Sequence, residues 1–171
     1  PPPRPRPRVP DLKAARRTAE LLGVTMHKVA GNALGEDSDD LQHWLEALTG
    51  CPPVNATVLA RCHNPAHGDE AMTWFYVEAD AAHGVARRRC LACGVVQHVL
   101  DSAEHWTHPP MCACSTCGQS MFEVGYGLHV EGGTEVTWLA MAVRCVGCGR
   151  LDGITDLHVP RLTVDQVRAS V

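Results

Sequence analysis

Nine cysteines stand at positions 51, 62, 90, 93, 112, 114, 117, 145 and 148, and two pairs of them share the form Arg-Cys-x-x-Cys-Gly. These are Arg89 to Gly94 and Arg144 to Gly149, and in each an aspartate, Asp101 or Asp156, follows eight residues after the second cysteine. Each pair has an upstream counterpart: Cys114-Ser-Thr-Cys117-Gly118 for the second and Cys62-His-Asn-Pro-Ala-His67-Gly68 for the first. Met72 lies five residues after His67 and Met121 four after Cys117, so the pattern reads as an internal duplication. Two residues between cysteines let the chain turn tightly enough for both sulfurs to reach one ion. The glycine that follows supplies the left-handed backbone that aims amide N–H groups at the thiolates. This spacing predicts one zinc site at Cys114, Cys117, Cys145 and Cys148, and another at Cys62, His67, Cys90 and Cys93. His63 is an alternative to His67, which is preferred because His67-Gly68 imitates the Cys-Gly of the other turns. Cys112 could replace Cys114 only in a longer-spaced turn, and Cys51 reads as a small buried hydrophobe before a proline stop.

The ligand-bearing turns of each unit must be brought together, and the sequence between them alternates as strands do. Phe122, Val124 and Tyr126 alternate with Met121, Glu123 and Gly125, Glu131 to Thr134 form a turn, and Thr137 to Val143 return to Cys145. The first unit repeats the logic with Thr73 to Glu78 outward, a turn near Ala81 to Gly84, and Val85 to Arg89 back. Over about residues 61 to 158 the chain resembles the zinc-ribbon class, with the Cys-x-x-Cys-Gly turns and hairpins quoted above carrying the resemblance. The resemblance implies two tandem ribbons, each stabilised by a structural zinc, and a role in binding DNA or RNA or in docking onto RNA polymerase or the ribosome.

Other cysteine and histidine chemistry fits less well. Disulfides need an oxidising compartment, whereas the cysteine count is odd and no secretory signal is visible. Rubredoxin-type iron joins its pairs by an aromatic-lined, Pro-rich loop. Catalytic zinc needs an open coordination position, and four protein ligands close each site, so an enzyme is not expected. No phosphate loop, nucleophile elbow, HExxH or deaminase signature is present. His105 and His108 form a His-x-x-His around Trp106, which could bind metal but reads better as a solvated linker ending at Pro109-Pro110.

The 171-residue chain is 45% hydrophobic but only 5% aromatic, too few large rings for one thick core throughout, which is why metal must support part of it. Its charge is uneven. Residues 1–35 hold seven Lys or Arg against Asp11 and Glu20, residues 36–60 hold five acids and no base, and the whole chain sums to -4. Residues 1–10 read as an extended Pro/Arg arm, because each proline fixes φ and removes a donor. Residues 11–50 read as three short helices, the third capped by Ser38 with Leu41, Trp44, Leu45 and Leu48 as its apolar stripe. Within them, Thr18 to Val29 resembles a helix-turn-helix, with Ala19 at the packing position and Gly23 in the turn. The expected fold is α+β: a short N-terminal helical segment, then zinc ribbons over 58–108 and 109–160, then a tail over 161–171.

These readings predict a non-catalytic zinc factor that contacts nucleic acid, DNA or RNA, within a transcription or translation complex. Arg4, Arg6, Arg8, Arg16, Arg17 and Lys28 would supply the contact from the N-terminal end, and Arg87, Arg88 and Arg89 from the first ribbon. The alternative is a protein–protein adaptor docking onto a larger assembly through the Trp44 stripe and the hairpins. Acidic Glu123, Glu131 and Glu135 on the second hairpin favour that alternative. No apolar run approaches a bilayer span, no small-molecule substrate is evident, and the expected compartment is the cytoplasm.

Overall fold

A computed structural model describes residues 33–49, 51–157, 159 and 162–171. The fold is α+β and mostly antiparallel sheet. In chain order it contains α1 (Ser38–Glu46), β1 (Ala56–Leu59), β2 (Phe75–Asp80), β3 (Val85–Cys90), β4 (Val96–His98), β5 (Phe122–Glu131), β6 (Glu135–Cys145), β7 (Leu151–Leu157), β8 (Leu162–Thr163) and α2 (Val164–Ser170). The strands form one sheet in the order β4-β3-β2-β5-β6-β7, with β1 paired to β5 and β8 to β6.

Each hairpin forms where alternation foretold it, and each gains a third strand immediately after its Cys-x-x-Cys-Gly turn, β4 beside β3 and β7 beside β6. The two three-stranded units join at one residue pair, Phe75 with Phe122. Although β5 and β6 separate β2 from β7 in the sheet, β2 and β3 both approach β7, so the sheet is curled. Inside the curl lies the main core, which includes Phe75, Val77, Phe122, Val124, Tyr126, Leu128, Leu139, Met141 and Val143.

The opposite face of the β5–β6 hairpin carries α1. Leu41 and Leu45 are fully buried there with Ala142 and Leu151, and Trp44 and Leu48 pack around them. Gly125 on β5 makes this approach possible, since a Cβ at that position would lie 2.8 Å from Leu45 Cδ1. The cap of α1 is Asp37 rather than Ser38: its carboxylate accepts the amides of Asp39 and Asp40 at 3.0 and 3.1 Å, placing an anion at the helix N-terminus.

Of the expected N-terminal helical segment, the described residues hold one helix, α1, at the place expected for the third. Its other two expected helices and the helix-turn-helix resemblance lie outside the described residues, as do Arg4, Arg6, Arg8, Arg16, Arg17 and Lys28. The second described helix is at the other end, in the span expected as a tail. There Thr163 and Gln166 form a reciprocal capping box, and Val167 and Val171 are buried in the main core.

Candidate metal centres

The two groups of four that spacing singled out are brought together by the hairpins. In each, all four ligand atoms lie within 4.8 Å of one another. In the first, Cys62 Sγ is 3.7 Å from Cys93 Sγ, and His67 Nε2 is 3.5 Å from Cys90 Sγ. In the second, Cys114 Sγ is 3.6 Å from Cys148 Sγ, and Cys117 Sγ is 3.5 Å from Cys145 Sγ. A zinc tetrahedron with Zn–S near 2.3 Å and Zn–N near 2.0 Å has edges of about 3.8 Å between sulfurs and about 3.5 Å between sulfur and nitrogen. A disulfide would instead need about 2.05 Å, and all nine cysteines are free. The donor sets fit two structural zinc ions, one held by three cysteines and a histidine and the other by four cysteines. Such an ion would tie the two ends of each hairpin to one point.

The turns are built alike. Gly68, Gly94, Gly118 and Gly149, one after each second ligand, have φ of 68°, 72°, 75° and 74°, the left-handed region that a side chain would strain. Burial opposes ionisation of Cys114, but amides of Cys117 and Thr116 and the neighbouring thiols outweigh it and pull its thiol down to about 7. Amides of Cys93 and Ala92 serve Cys90 in the same way. His67 sits at the end of a 3-10 turn over Pro65–His67 in which the Asn64 side chain accepts the Ala66 amide, and its position relative to Gly68 copies the cysteine turns. His63 is exposed and outside the group.

The structure also sets the register of the duplication. Leu91 N donates to Trp74 O and Val146 N to Met121 O, both at 3.0 Å, so Trp74 is the counterpart of Met121 and Phe75 of Phe122. The similar offsets of Met72 and Met121 were a near miss: Met72 instead pairs with Cys62 inside the first turn.

Neither leftover cysteine joins a metal group. Cys112 donates its backbone N–H to Val77 O at 2.7 Å along the free side of β2, and burial pushes its thiol up to about 11. Cys51 is half-buried. His105 and His108 are exposed and join no metal group among the described residues. Their neighbour Trp106 does not belong to a solvated linker: it lies 4.4 Å over the Arg87 guanidinium and meets the His98 ring edge-on at 5.0 Å.

Two of the three consecutive arginines are already engaged within the fold, which corrects their assignment as a partner-binding cluster. Arg88 is 1% exposed because its strand position points into the curl, where it stacks on Phe75 at 4.5 Å and donates to Gln97 at 2.7 Å. Burial pushes its pKa down, while the Tyr126 hydroxyl and the Cys62 and Cys90 sulfurs oppose that shift. Arg87 forms a two-pronged pair with Glu78 at 2.7 and 3.0 Å. Arg89 remains half-exposed, 3.9 Å from Glu78. In the second unit Arg144 is held by Glu123 and by the carbonyls of Gly35 and Glu36, and Arg150 by Asp152.

Among the described residues, no helix is long and apolar enough to cross a membrane. Compared with known proteins, the chain matches no family model, no curated protein and no solved structure.

Proposed function

We propose that this chain is a non-catalytic adaptor of the zinc-ribbon kind, in which two closed zinc centres hold a docking surface for another protein. The observation that carries the reading is a face that one unit covers and the other leaves open. In the second unit α1 lies over Gly125, Ala142 and Leu151, and Leu151 is 5% exposed. In the first unit the residue matching Leu151 is Val96, 40% exposed, and beside it Trp74 is 42% exposed and Val95 is open. Tyr76 and Arg89 share that row of the sheet. Tryptophan, tyrosine and arginine around an apolar centre are the composition of protein-binding hot spots. The charge supports the same choice, because residues 33–171 hold 17 acids against eight Lys or Arg and repel a phosphate backbone.

The test is purification of the zinc-loaded full chain with its partners, in parallel with Trp74→Ala and Val96→Asp. The adaptor reading expects one stoichiometric protein that survives nuclease and high salt and is lost in both variants while two zinc remain. Retention of the same protein by both variants would exclude this face.

A second reading has its own support in the basic N-terminal end, where seven Lys or Arg face only two acids over residues 1–35. On that reading the arm contacts DNA or RNA and the folded part is a passenger. Binding would then fall steeply with salt and be lost when Arg4, Arg6 and Arg8 are all replaced by alanine.

A further inference from the structure

Among the described residues Arg88 is the largest fully buried side chain, and no carboxylate there pairs with it. Its neighbours are neutral: the Phe75 ring, Gln97 Oε1 and, at 3.4 Å, the carbonyl of Arg61, while its Nε has no hydrogen-bond partner. A guanidinium does not shed its proton in a protein, and a buried charge without a counter-charge is among the most destabilising groups a fold can hold. The matching position of the second unit shows that the hairpin itself has no need of a cation there, since Val143 occupies it and is equally buried.

What distinguishes the first unit is the centre beside that position. Cys90 follows Arg88 by two residues and so lies on the same face of β3, paired with Phe75. Arg61, whose carbonyl receives the guanidinium, immediately precedes Cys62. Zinc with three thiolates and a neutral imidazole carries one net negative charge. We propose that Arg88 is the buried counter-charge of the Cys62, His67, Cys90 and Cys93 centre, so that centre and arginine are buried together as a neutral assembly. Metal loading of this site and closure of the core around Arg88 are then one coupled event. Val143 imposes no such coupling on the four-cysteine centre, whose Cys117 is open to solvent.

The inference rests on the zinc assignment, which metal content of the parent chain tests separately: fewer than two zinc would refute the ligands before Arg88 is considered. With two present, the full-length chain and Arg88→Met are titrated with a chromogenic chelator, and cobalt substitution identifies which centre empties first. The Cys62 to Cys93 centre is expected to weaken by about 10- to 100-fold, the usual loss when a group supporting a metal ligand is removed, with the four-cysteine centre unchanged. The decisive arm repeats Arg88→Met in a Cys93→His background, where the centre has only two thiolates and no net charge. There the loss shrinks. An unchanged affinity at this centre, or an equal loss in both backgrounds, overturns the proposal and leaves Arg88 a packing residue. If Arg88→Met does not fold, Arg88→Lys and Arg88→Gln make the same comparison. Lysine, which keeps the charge, must hold zinc at this centre more tightly than glutamine, and equal affinities refute the proposal.

Discussion

Aligned through Phe75 and Phe122, the two zinc-binding units share strand register residue for residue, and they differ in what covers their faces. On the inner face, Val77 and Arg88 of the first unit stand where the second has Val124 and Val143. On the outer face, Glu78 and Arg87 stand where the second has Gly125 and Ala142. The second unit is therefore packed mainly by hydrocarbon on both sides, with the core beneath it and α1 above, and its one cross-strand ion pair, Glu123 with Arg144, sits beside the metal turn rather than under α1's leucines. The first is held by charge, through a buried arginine inside and an ion pair under Trp106 outside. One scaffold has been stabilised in two ways, and the open apolar surface lies on the unit that uses charge.

The strongest way to break this comparison is to remove a ligand from each unit in turn. Strands β5 and β6 are the hub of the sheet, pairing between them with β1, β2, β7 and β8. Structural zinc supplies about 10 to 16 kcal/mol of apparent binding energy in small domains, more than the usual net stability of about 5 to 15 kcal/mol. Cys145→Ser is expected to unfold the whole chain at 25 °C, with loss of hydrogen-exchange protection throughout. Cys90→Ser is expected to keep one zinc and full protection in β5, β6 and β7 while β2, β3 and β4 exchange freely. Equal collapse in both would show that the Phe75–Phe122 junction and the core the two units share transmit unfolding between them.

The next effect concerns the hydrocarbon lid. A side chain at Gly125 would run into Leu45, so Gly125→Val must push α1 away or strain its leucines, at a cost of about 1 to 3 kcal/mol. Urea denaturation and zinc content measure this together, and two zinc are expected to remain because the clash lies on the face away from both centres. Loss of zinc from the four-cysteine centre in this variant would mean that α1, and not the metal, holds the β5–β6 hairpin in register.

How legible this was from sequence differs between the same two regions. The ligand turns and hairpins could be read because spacing and alternation are local signals, and Cys-x-x-Cys-Gly permits few geometries. The third strands, β4 and β7, were missed because Val96–His98 is too short to alternate visibly and Leu151–Leu157 is interrupted by Gly153. The helix α2 carried a readable signal, a Thr163-x-x-Gln166 box ahead of Val164, Val167 and Val171, that its terminal position made easy to pass over. Three consecutive arginines read as a surface patch because alternation cannot tell which face is buried. Only the curl of the sheet at Phe75 decides that Arg88 points inward. The reason for Gly125 is α1, and that for Gly127 is Val54 together with Leu45 of α1, all distant in sequence.

The smallest effect tests whether the outer ion pair of the first unit behaves as a lid in its own right. The two hydrogen bonds from Arg87 hold the Glu78 carboxyl below the usual carboxylate range, against the opposing push of burial, and the charges of Arg87, Arg89 and His98 add to the lowering. A carboxyl whose folded pKa lies below its unfolded value of about 4.3 stabilises the fold above that pH and loses the contribution as pH falls through the folded value. Glu78→Gln keeps one acceptor for Arg87 and should therefore cost about 0.5 to 1.5 kcal/mol, the usual net range for a hydrogen bond. The gap between parent and variant should be the same at pH 8 and pH 5.5 and close only below the unfolded carboxylate range. Urea denaturation at those two pH values, with zinc content checked at each, is the measurement. A gap that already changes between pH 8 and 5.5 would assign control of the pair to a neighbouring group other than the carboxylate, with His98 first in line because it adjoins Trp106 and because burial and the Arg87 charge push its imidazole below the usual value. Glu123→Gln removes the second unit's own cross-strand carboxylate, at the position that Tyr76 holds in the first. Its partner Arg144 keeps the carbonyls of Gly35 and Glu36, so its cost should be the smaller of the two. A larger cost there would mean that charge supports both units alike, and the division between a hydrocarbon-held and a charge-held unit would fall.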